Sequence, residues 1–259
     1  MEHSVYIPAE RQKKMIEYIE ANTSAQIHEL AEKFHVSEAT VRRDLDDLDR
    51  QGALRRTHGG AIKADHSTSF EHMYSEKIAL MPEAKQRIAA RAAQMVHPGD
   101  TVLIDSGTTA FFIAQALSRH EGLTLITNDL YIAYQTPLHP SSTLIVTGGT
   151  RRQGRQELIG TMPEDFIRST HVDVAFIGAD GISVTGGVTN ANFEEIGVKK
   201  LMLRAAERSV IAADHTKIGR VALARICDLR EVDALLTDDG LEPEMAAKIR
   251  KACPALEVV

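Results

Sequence analysis

Residues 101–110 read TVLIDSGTTA and decide the fold class of the larger part of the chain. Thr101 to Ile104 form a short apolar run, which is typical of a strand that is buried on both faces. A polar turn follows, and a helix is predicted from Ala110 to Leu117. A strand that leads through a turn into a helix is the repeating unit of α/β proteins. The stretch therefore predicts an α/β fold.

The alternation of short apolar strands and helices continues to the end of the chain. Further strands are predicted at Leu123–Thr127, Thr143–Thr147, Val172–Ile177, Ser209–Ala213, Ala234–Thr237 and Leu256–Val259. Further helices are predicted at Glu83–Val96, Leu130–Gln135, Phe193–Glu207 and Glu242–Lys251. Strands that alternate with helices form mostly parallel sheets covered on both faces. We therefore expect residues 83–259 to form one Rossmann-like, mostly parallel α/β domain.

Polar residues and glycines follow five of these strands at the point where each strand ends. Any one such turn is also what an ordinary strand–helix connection contains. Five turns on one edge favour a ligand site, because ligands of open α/β sheets bind beyond the carboxyl ends of the strands. The candidate ligand-binding residues are Asp105, Ser106, Gly107, Thr108, Thr109, Thr127, Asn128, Gly148, Gly149, Asp180, Glu194 and Lys217.

The residue types in this set suit a phosphorylated ligand. Hydroxyl and N–H groups of residues 106–109 lie at a predicted helix N-terminus, where phosphate binds. Lys217 would supply a counter-charge, and Asp105 and Asp180 suit sugar hydroxyls. Glu194 and Glu195 open a helix beside the crevice, where they either contact the ligand or complement the helix dipole.

Two weaker patterns favour ordinary structure. The run from Gly149 to Gln156 resembles a P-loop but lacks its Lys and its Ser/Thr, so we interpret this segment as a solvated loop. Arg151, Arg152 and Arg155 make it basic, and the alternative is a role in binding an anion or in an interface. Cys227 and Cys253 form no C-x-x-C pair and are interpreted as packed thiols. The sequence predicts no catalytic residue, no cofactor and no metal site.

The first 62 residues have a different pattern, that of three helices and a hairpin. The third helix is predicted from Glu38 to about Gln51, with Val41, Leu45 and Leu48 facing the other two helices. The pattern places Thr40, Arg43, Asp44 and Asp47 on the opposite, solvated side. A short hairpin around the turn at residues 57–60 follows. Such an arrangement is a helix-turn-helix with a wing.

Seven polar residues of this module are candidates for contacts with DNA. An arginine fork binds the O6 and N7 atoms of guanine together, and wing arginines suit backbone phosphates. The candidates are Ser37, Thr40, Arg42, Arg43, Arg55, Arg56 and His58. Through Ile62 the chain carries nine basic and eleven acidic residues, so DNA binding requires the arginines to be sorted onto one face. A protein-binding winged helix is the alternative.

Composition limits the remaining possibilities. The chain has 259 residues and a net charge of −6, which excludes binding to DNA or anionic membrane through bulk charge. No signal-like segment opens it and no apolar run approaches the ~18 residues of a membrane span. A cytoplasmic protein without a membrane partner is expected.

The N-terminal motifs resemble the signature of the DeoR family of bacterial repressors. The resemblance rests on Arg11-x3-Met15-x3-Ile19-x17-Ser37-x2-Thr40-Val41-Arg42-Arg43-Asp44-Leu45 and on the wing Arg56-Thr57-His58-Gly59-Gly60-Ala61. It implies a DNA-binding domain in residues 1–62, a linker in residues 63–82 and an effector domain in residues 83–259.

The effector domain of that family is similar to sugar-phosphate isomerases such as ribose-5-phosphate isomerase. Residues 105–109 resemble the phosphate loop of those enzymes, and Gly178-Ala179-Asp180 resembles their G-A-D segment. The isomerases continue with Glu where this chain has Gly181, which speaks against catalysis. The resemblance implies a phosphorylated sugar or polyol that is bound but not converted.

The function predicted from the sequence is therefore that of a transcriptional regulator, most simply a repressor of a carbohydrate-metabolism operon. Its partners would be double-stranded operator DNA, a phosphorylated sugar or polyol, and further copies of itself in a dimer or tetramer. The alternatives are a sugar-phosphate isomerase with an accessory helical domain and a helical adaptor that binds protein.

Overall fold

A computed structural model describes residues 6–50, 53–63, 68–69 and 71–259. The chain divides into two compact units, Met1–Ser67 and Thr68–Val259. Each unit has its own hydrophobic core.

The N-terminal unit is a winged helix-turn-helix, as the sequence predicts. Its elements are α1 (Pro8–Asn22), β1 (Ser24–Gln26), α2 (Ile27–Phe34), α3 (Glu38–Arg50), β2 (Leu54–Thr57) and β3 (Gly60–Lys63). The wing has three strands rather than two, in the order β1-β3-β2. Strand β1 is missed by the sequence pattern because Ala25 is its only apolar residue. A Cβ at Gly60 would lie 2.0 Å from the carbonyl oxygen of Ala25, so this close strand approach requires glycine.

A buried ion pair joins α1 to α3 at the centre of this unit. Arg11 donates from Nε to one carboxylate oxygen of Asp44 at 2.6 Å and from a terminal nitrogen to the other at 3.2 Å. Arg11 is 8% and Asp44 4% exposed. The prediction that Asp44 is solvated is therefore wrong. Asp44 lies three residues after Val41 and four before Leu48, which places it on their face of the helix.

The C-terminal unit is built around a parallel sheet of seven strands. Its strands are β4 (Thr101–Ile104), β5 (Thr124–Thr127), β6 (Thr143–Val146), β9 (Val172–Ile177), β12 (Ala206–Ala212), β14 (Ala234–Thr237) and β15 (Leu256–Val258). Their order is β15-β14-β12-β9-β4-β5-β6, and every adjacent pair is parallel. The order reverses between β4 and β9, and such a switch point opens a crevice at the carboxyl ends of the strands. The predicted fold class is confirmed.

Helices cover both faces of this sheet. They are α4 (Tyr74–Ala79), α5 (Pro82–Ala93), α6 (Thr108–Ala116), α7 (Leu130–Gln135), α8 (Thr161–Arg168), α9 (Ile196–Ala205) and α10 (Pro243–Ala252). Alternate residues of a strand enter opposite cores, as Val102 and Ile104 do on one face and Leu103 does on the other. The buried stretches of these strands are therefore mostly apolar, as in TVLI of β4 and TLIT of β5, and this is the signal that the sequence carries.

Several small elements differ from the sequence prediction. Beside the large sheet lies an antiparallel sheet of β10 (Gly181–Ser183), β11 (Gly187–Asn190) and β13 (Ala224–Cys227). A hairpin pairs β7 (Thr150–Arg151) with β8 (Leu158–Ile159). The sequence predicts a linker in residues 63–82, whereas the structure has helix α4 within that range and includes Thr68 onward in the C-terminal unit. These elements are too short to show a periodicity in sequence.

None of the described helices combines the length and the apolar character that a crossing of a membrane requires.

Loss of the Asp44 carboxylate should destabilise the N-terminal unit strongly. Asp44→Ala leaves the guanidinium of Arg11 buried without its partner, which should cost ~3–5 kcal/mol of unfolding free energy. The control, Glu38→Ala, breaks the exposed pair between Glu38 and Arg42 and should cost less than ~0.5 kcal/mol. Hydrogen exchange of α1 and α3 amides in rising urea measures both variants in the full chain. Equal effects of the two substitutions would contradict the assigned role.

Candidate functional site

The first candidate surface is formed by the start of α3 and by the wing. Ser37 precedes α3, and its hydroxyl accepts a hydrogen bond from the Thr40 amide at 3.2 Å and lies 2.9 Å from the Thr40 hydroxyl. These contacts fix the first turn of the helix. Arg42, Arg43, Arg55 and His58 are exposed, and Thr40 and Arg56 are half-buried.

The charges of these arginines are not equally available. Arg42 forms an exposed pair with Glu38 at 2.9 Å. Arg56 pairs with Asp46, and its amide donates to Asp49, so the wing is attached to the middle of α3. Arg43 has no hydrogen-bond or ion-pair partner in the described part of the chain. The residue best placed to offer a whole guanidinium fork from α3 is therefore Arg43.

The second candidate site is a cleft at the switch point of the parallel sheet. Asp105 follows β4, is fully buried, and accepts a hydrogen bond from the amide of Gly178 after β9 at 2.9 Å. The same carboxylate pairs with Lys199 of α9, which also lies 3.6 Å from Glu195. Burial raises the pKa of Asp105, and the neighbouring carboxylates of Asp105 and Glu195 raise the pKa of Lys199. Asp105 therefore joins three elements beneath the cleft rather than lining it.

Above this pair lies a cavity of about 90 Å³, whose wall includes the N-terminus of α6. Ser106, Gly107, Thr108 and Thr109 line it, and no side chain caps α6. The amide of Gly107 is already bound to Asp129 at 3.1 Å, a residue that also caps α7. The next amides and the threonine hydroxyls are positioned as an anion-binding terminus.

Two lysines bring positive charge to this cavity, and no carboxylate of the described residues forms an ion pair with either. Lys217 lines the cavity, and among the described residues no carboxylate forms an ion pair with it. Burial and the neighbouring Lys77 lower the pKa of Lys217, while Asp214 opposes this shift. Lys85 is 3% exposed, and its ammonium donates to the carbonyl oxygens of Lys77 and Leu80. Burial lowers the pKa of Lys85 to about 8.

The opposite wall carries carboxylates that are paired. Asp180 accepts from the Ala191 amide at 3.0 Å and pairs with Lys77 of α4 at 3.1 Å. Despite its burial, the charges of Lys77 and Lys217 hold the pKa of Asp180 far below its usual value. Asp180 is therefore an ionised acceptor beside the cavity.

The β7–β8 hairpin contributes a cluster of charges at the edge of the cleft. Arg152 is within 3.1 Å of carboxylate oxygens of Glu71, Glu157, Glu194 and Glu195. The Arg152 side chain is 15% exposed. The interpretation of this segment as a solvated loop is therefore wrong for Arg152 and Arg155, although Arg151 is exposed. Arg152 pairs with Glu157 of the same hairpin and with glutamates far along the chain, and Arg155 pairs with Glu71.

The structure brings together only part of the predicted ligand set. Ser106, Gly107, Thr108, Thr109, Asp180 and Lys217 line one cavity. The predicted residues that do not line it are Asp105, Thr127, Asn128, Gly148, Gly149 and Glu194. Thr127 and Asn128 are buried in their own turn, where Thr127 accepts from the Asp129 amide and Asn128 donates to Leu158. Glu194 pairs instead with Arg152.

Other cavity residues were missed by sequence reasoning. They include Glu71, Tyr74, Lys77, Lys85, Arg152, Arg155, Glu157, Asn190 and Lys199. Glu71, Tyr74 and Lys77 come from the assumed linker, and Lys85 and Lys199 come from helices, where no predicted strand end marks them. The remaining four come from the small β7–β8 hairpin and from β11, which were not predicted as strands; the one signal available for them was the basic run that contains Arg152 and Arg155.

Comparisons with known proteins agree with both halves of this architecture. The profile of the DeoR-like helix-turn-helix domain matches residues 11–67, and that of the DeoR C terminal sensor domain matches residues 81–239. The glycerol-3-phosphate regulon repressor of Escherichia coli K12 is 32% identical over 229 residues, which cover 88% of this chain and 90% of that protein.

The HTH-type transcriptional regulator GlpR of Haloferax volcanii is 31% identical over 246 residues, covering 95% of this chain and 96% of that protein. Ribose 5-phosphate isomerase A from Methanocaldococcus jannaschii shares 17% identity at a TM-score of 0.38, covering 53% of this chain and 54% of that chain. The two sequence relatives are named as regulators of transcription, not as enzymes. The chain belongs to the DeoR family of transcriptional regulators, as its N-terminal motifs predict.

Proposed function

We propose that this regulator is a repressor of a carbohydrate-metabolism operon and that a phosphorylated sugar or polyol controls it. The N-terminal unit binds operator DNA as part of a homo-oligomer, because one recognition helix reads too few base pairs alone. The cleft of the C-terminal unit binds the effector. The similarity to a glycerol-3-phosphate regulon repressor supports an effector of this chemical class.

The charged groups of the cleft differ in whether they have a partner of opposite charge, and this difference supports the effector proposal. Lys217 is without a carboxylate partner among the described residues, and it shares one cavity with the N-terminus of α6. A phosphate group offers an anion to both, as a charge-assisted acceptor for the lysine and as a partner of the helix dipole. Asp180, ionised on the opposite wall, accepts hydrogen bonds from hydroxyls of the same ligand.

Binding without conversion is favoured by the residue after Asp180. A Cβ at Gly181 would lie 2.9 Å from the backbone nitrogen of Ala222 and 2.9 Å from the backbone oxygen of Arg220. The backbone here leaves no room for the glutamate that follows in the isomerases. The cleft therefore supports a sensor, in which the ligand acts by binding one arrangement of the protein more tightly than another.

Removal of the Arg43 fork should weaken operator binding. Arg43→Ala removes the α3 guanidinium that lacks an intramolecular partner, so we expect a loss of ~1–3 kcal/mol of operator affinity. Arg50→Ala, at the far end of α3 where Arg50 pairs with Asp47, is the matched control and should change affinity little. Salt titrations of binding to the chain's own upstream DNA measure both. Wild-type affinity in Arg43→Ala would refute the assigned contact.

The anion site should be removable without loss of DNA binding. Thr108→Val combined with Lys217→Ala should abolish stabilisation by sugar phosphates, which for wild type is ~2.7 kcal/mol at a ligand concentration 100 times Kd. A thermal-shift panel of sugar and polyol phosphates, with the unphosphorylated compounds beside them, measures this. Lys248→Ala, an exposed lysine of α10 paired with Glu244, is the control. Release of DNA by ligand in the double variant would show that the effector binds elsewhere.

Affinity for the phosphorylated ligand should fall as pH rises through 8. Lys85 has a pKa of about 8, so its ammonium is charged below that pH and neutral above it. Only the charged form attracts the phosphate, and binding at pH 8 should therefore take up protons. Titration calorimetry in two buffers of different ionisation enthalpy detects the uptake, and Lys85→Met should make the dependence shallower. An affinity that rises above pH 8 would contradict this assignment.

A further inference from the structure

Helix α4 and the residues just before it form a wall of the cleft. Glu71, Tyr74 and Lys77 all line the cavity, although they precede the first strand of the sheet. Arg155 of the hairpin donates to the carbonyl oxygens of Glu71 and His72 and pairs with the Glu71 carboxylate at 3.0 Å. This wall therefore lies in the chain directly after the DNA-binding unit, which ends at Ser67.

The cavity is small for the ligand class proposed above. Its volume is about 90 Å³, whereas an engineered cavity of ~150 Å³ holds benzene and ligand pockets commonly reach ~300 Å³ or more. Inorganic phosphate has five heavy atoms and a pentose phosphate has nearly three times as many. A phosphate group fits this volume, whereas a whole sugar phosphate exceeds it and reaches the walls that surround the cavity.

Helix α4 is held to the rest of the unit by polar contacts, namely the ion pair of Lys77 and the hydrogen bonds that the Lys85 ammonium donates to the carbonyl oxygens of Lys77 and Leu80. The loops after β4 and β9 belong to the two central strands of the sheet, whose apolar residues are buried on both faces. Helix α4 has six residues, and none of them is fully buried. A helix so short has little stability of its own. Its link to the opposite wall is the ion pair between Lys77 and Asp180.

A sugar phosphate would bind both members of this ion pair. Sugar hydroxyls donate to Asp180, and the phosphate competes with Asp180 for the ammonium of Lys77. Lys77 and Lys217 repel each other, and a dianion between them removes this repulsion. In addition, the hydroxyl of Tyr74 is buried and has no hydrogen-bond partner in the described chain, and the Tyr74 ring is packed on Tyr131 at 4.9 Å.

We propose that a sugar phosphate breaks the Lys77–Asp180 ion pair on entering the cleft and displaces α4. The displacement of α4 then transmits the effect of ligand binding to the chain segment that leads to the DNA-binding unit. The proposal rests on the effector cleft proposed above. It makes Lys77 a coupling residue, whose partner changes from Asp180 to the ligand. It also makes the response depend on ligand size, because inorganic phosphate needs no movement of α4.

Hydrogen exchange of the full-length protein tests this with three probes: inorganic phosphate, ribose 5-phosphate and ribose. Amides at the start of α6, residues 106–112, report the anion site, and those of residues 73–80 report α4. Ribose 5-phosphate should slow exchange at 106–112 and speed it at 73–80 by about tenfold. Inorganic phosphate should slow exchange at 106–112 alone, and ribose should change neither segment.

A variant separates the role of Lys77 from a general loss of stability of the C-terminal unit. Lys77→Met should speed exchange at residues 73–80 without ligand, and its operator affinity should match that of wild type saturated with ribose 5-phosphate. Lys248→Met, which breaks the exposed pair on α10, should change neither. Slower exchange at 106–112 with unchanged exchange at 73–80 under ribose 5-phosphate would overturn this inference and leave the effector cleft standing. No change at 106–112 with either phosphate would overturn both.

Discussion

The buried pair between Asp105 and Lys199 is the interaction around which the C-terminal unit is organised. Asp105 lies in the turn that follows β4. Its carboxylate accepts a hydrogen bond from the Gly178 amide after β9 and pairs with Lys199 of α9. Two charges buried together are tolerated only when geometry and hydrogen bonds compensate their lost hydration. Here that requirement holds together the ends of the two central strands at the switch point. The N-terminus of α6 and the Gly178–Asp180 segment are positioned as a consequence.

Charge pairing also explains why the cleft suits an anionic ligand. Asp180, Glu195 and Glu157 on its walls are matched by lysine or arginine, whereas Lys217 is matched by no described carboxylate. Desolvation of the half-buried Lys217 lowers its pKa, because its charge has no such partner. In the proposed function a phosphate group supplies the missing negative charge, so ligand binding would also relieve this cost. The paired carboxylates then decide which neighbouring groups must change partner.

The N-terminal unit uses the same principle on a smaller scale. Asp44 neutralises Arg11 inside the unit, and Glu38 and Asp46 neutralise Arg42 and Arg56 at its surface. These pairs account for a DNA-binding unit whose acidic residues outnumber its basic ones. Its net charge does not measure its capacity to bind DNA, because the acidic residues pair within the fold and leave Arg43 on α3 without an ion-pair partner among the described residues.

The sequence by itself determined the fold class, the winged helix-turn-helix and the family, because strands buried on both faces and amphipathic helices leave local periodicities. It also predicted that the start of α6, Asp180 and Lys217 lie close together, since each follows a strand of a parallel sheet. Only the tertiary structure decided that Asp44 and Asp105 are buried partners of Arg11 and Lys199. Only the tertiary structure placed α4 and the β7–β8 hairpin at the cleft. Ion pairs between residues far apart in the chain leave no periodic trace, since their partners meet only after the sheet has formed.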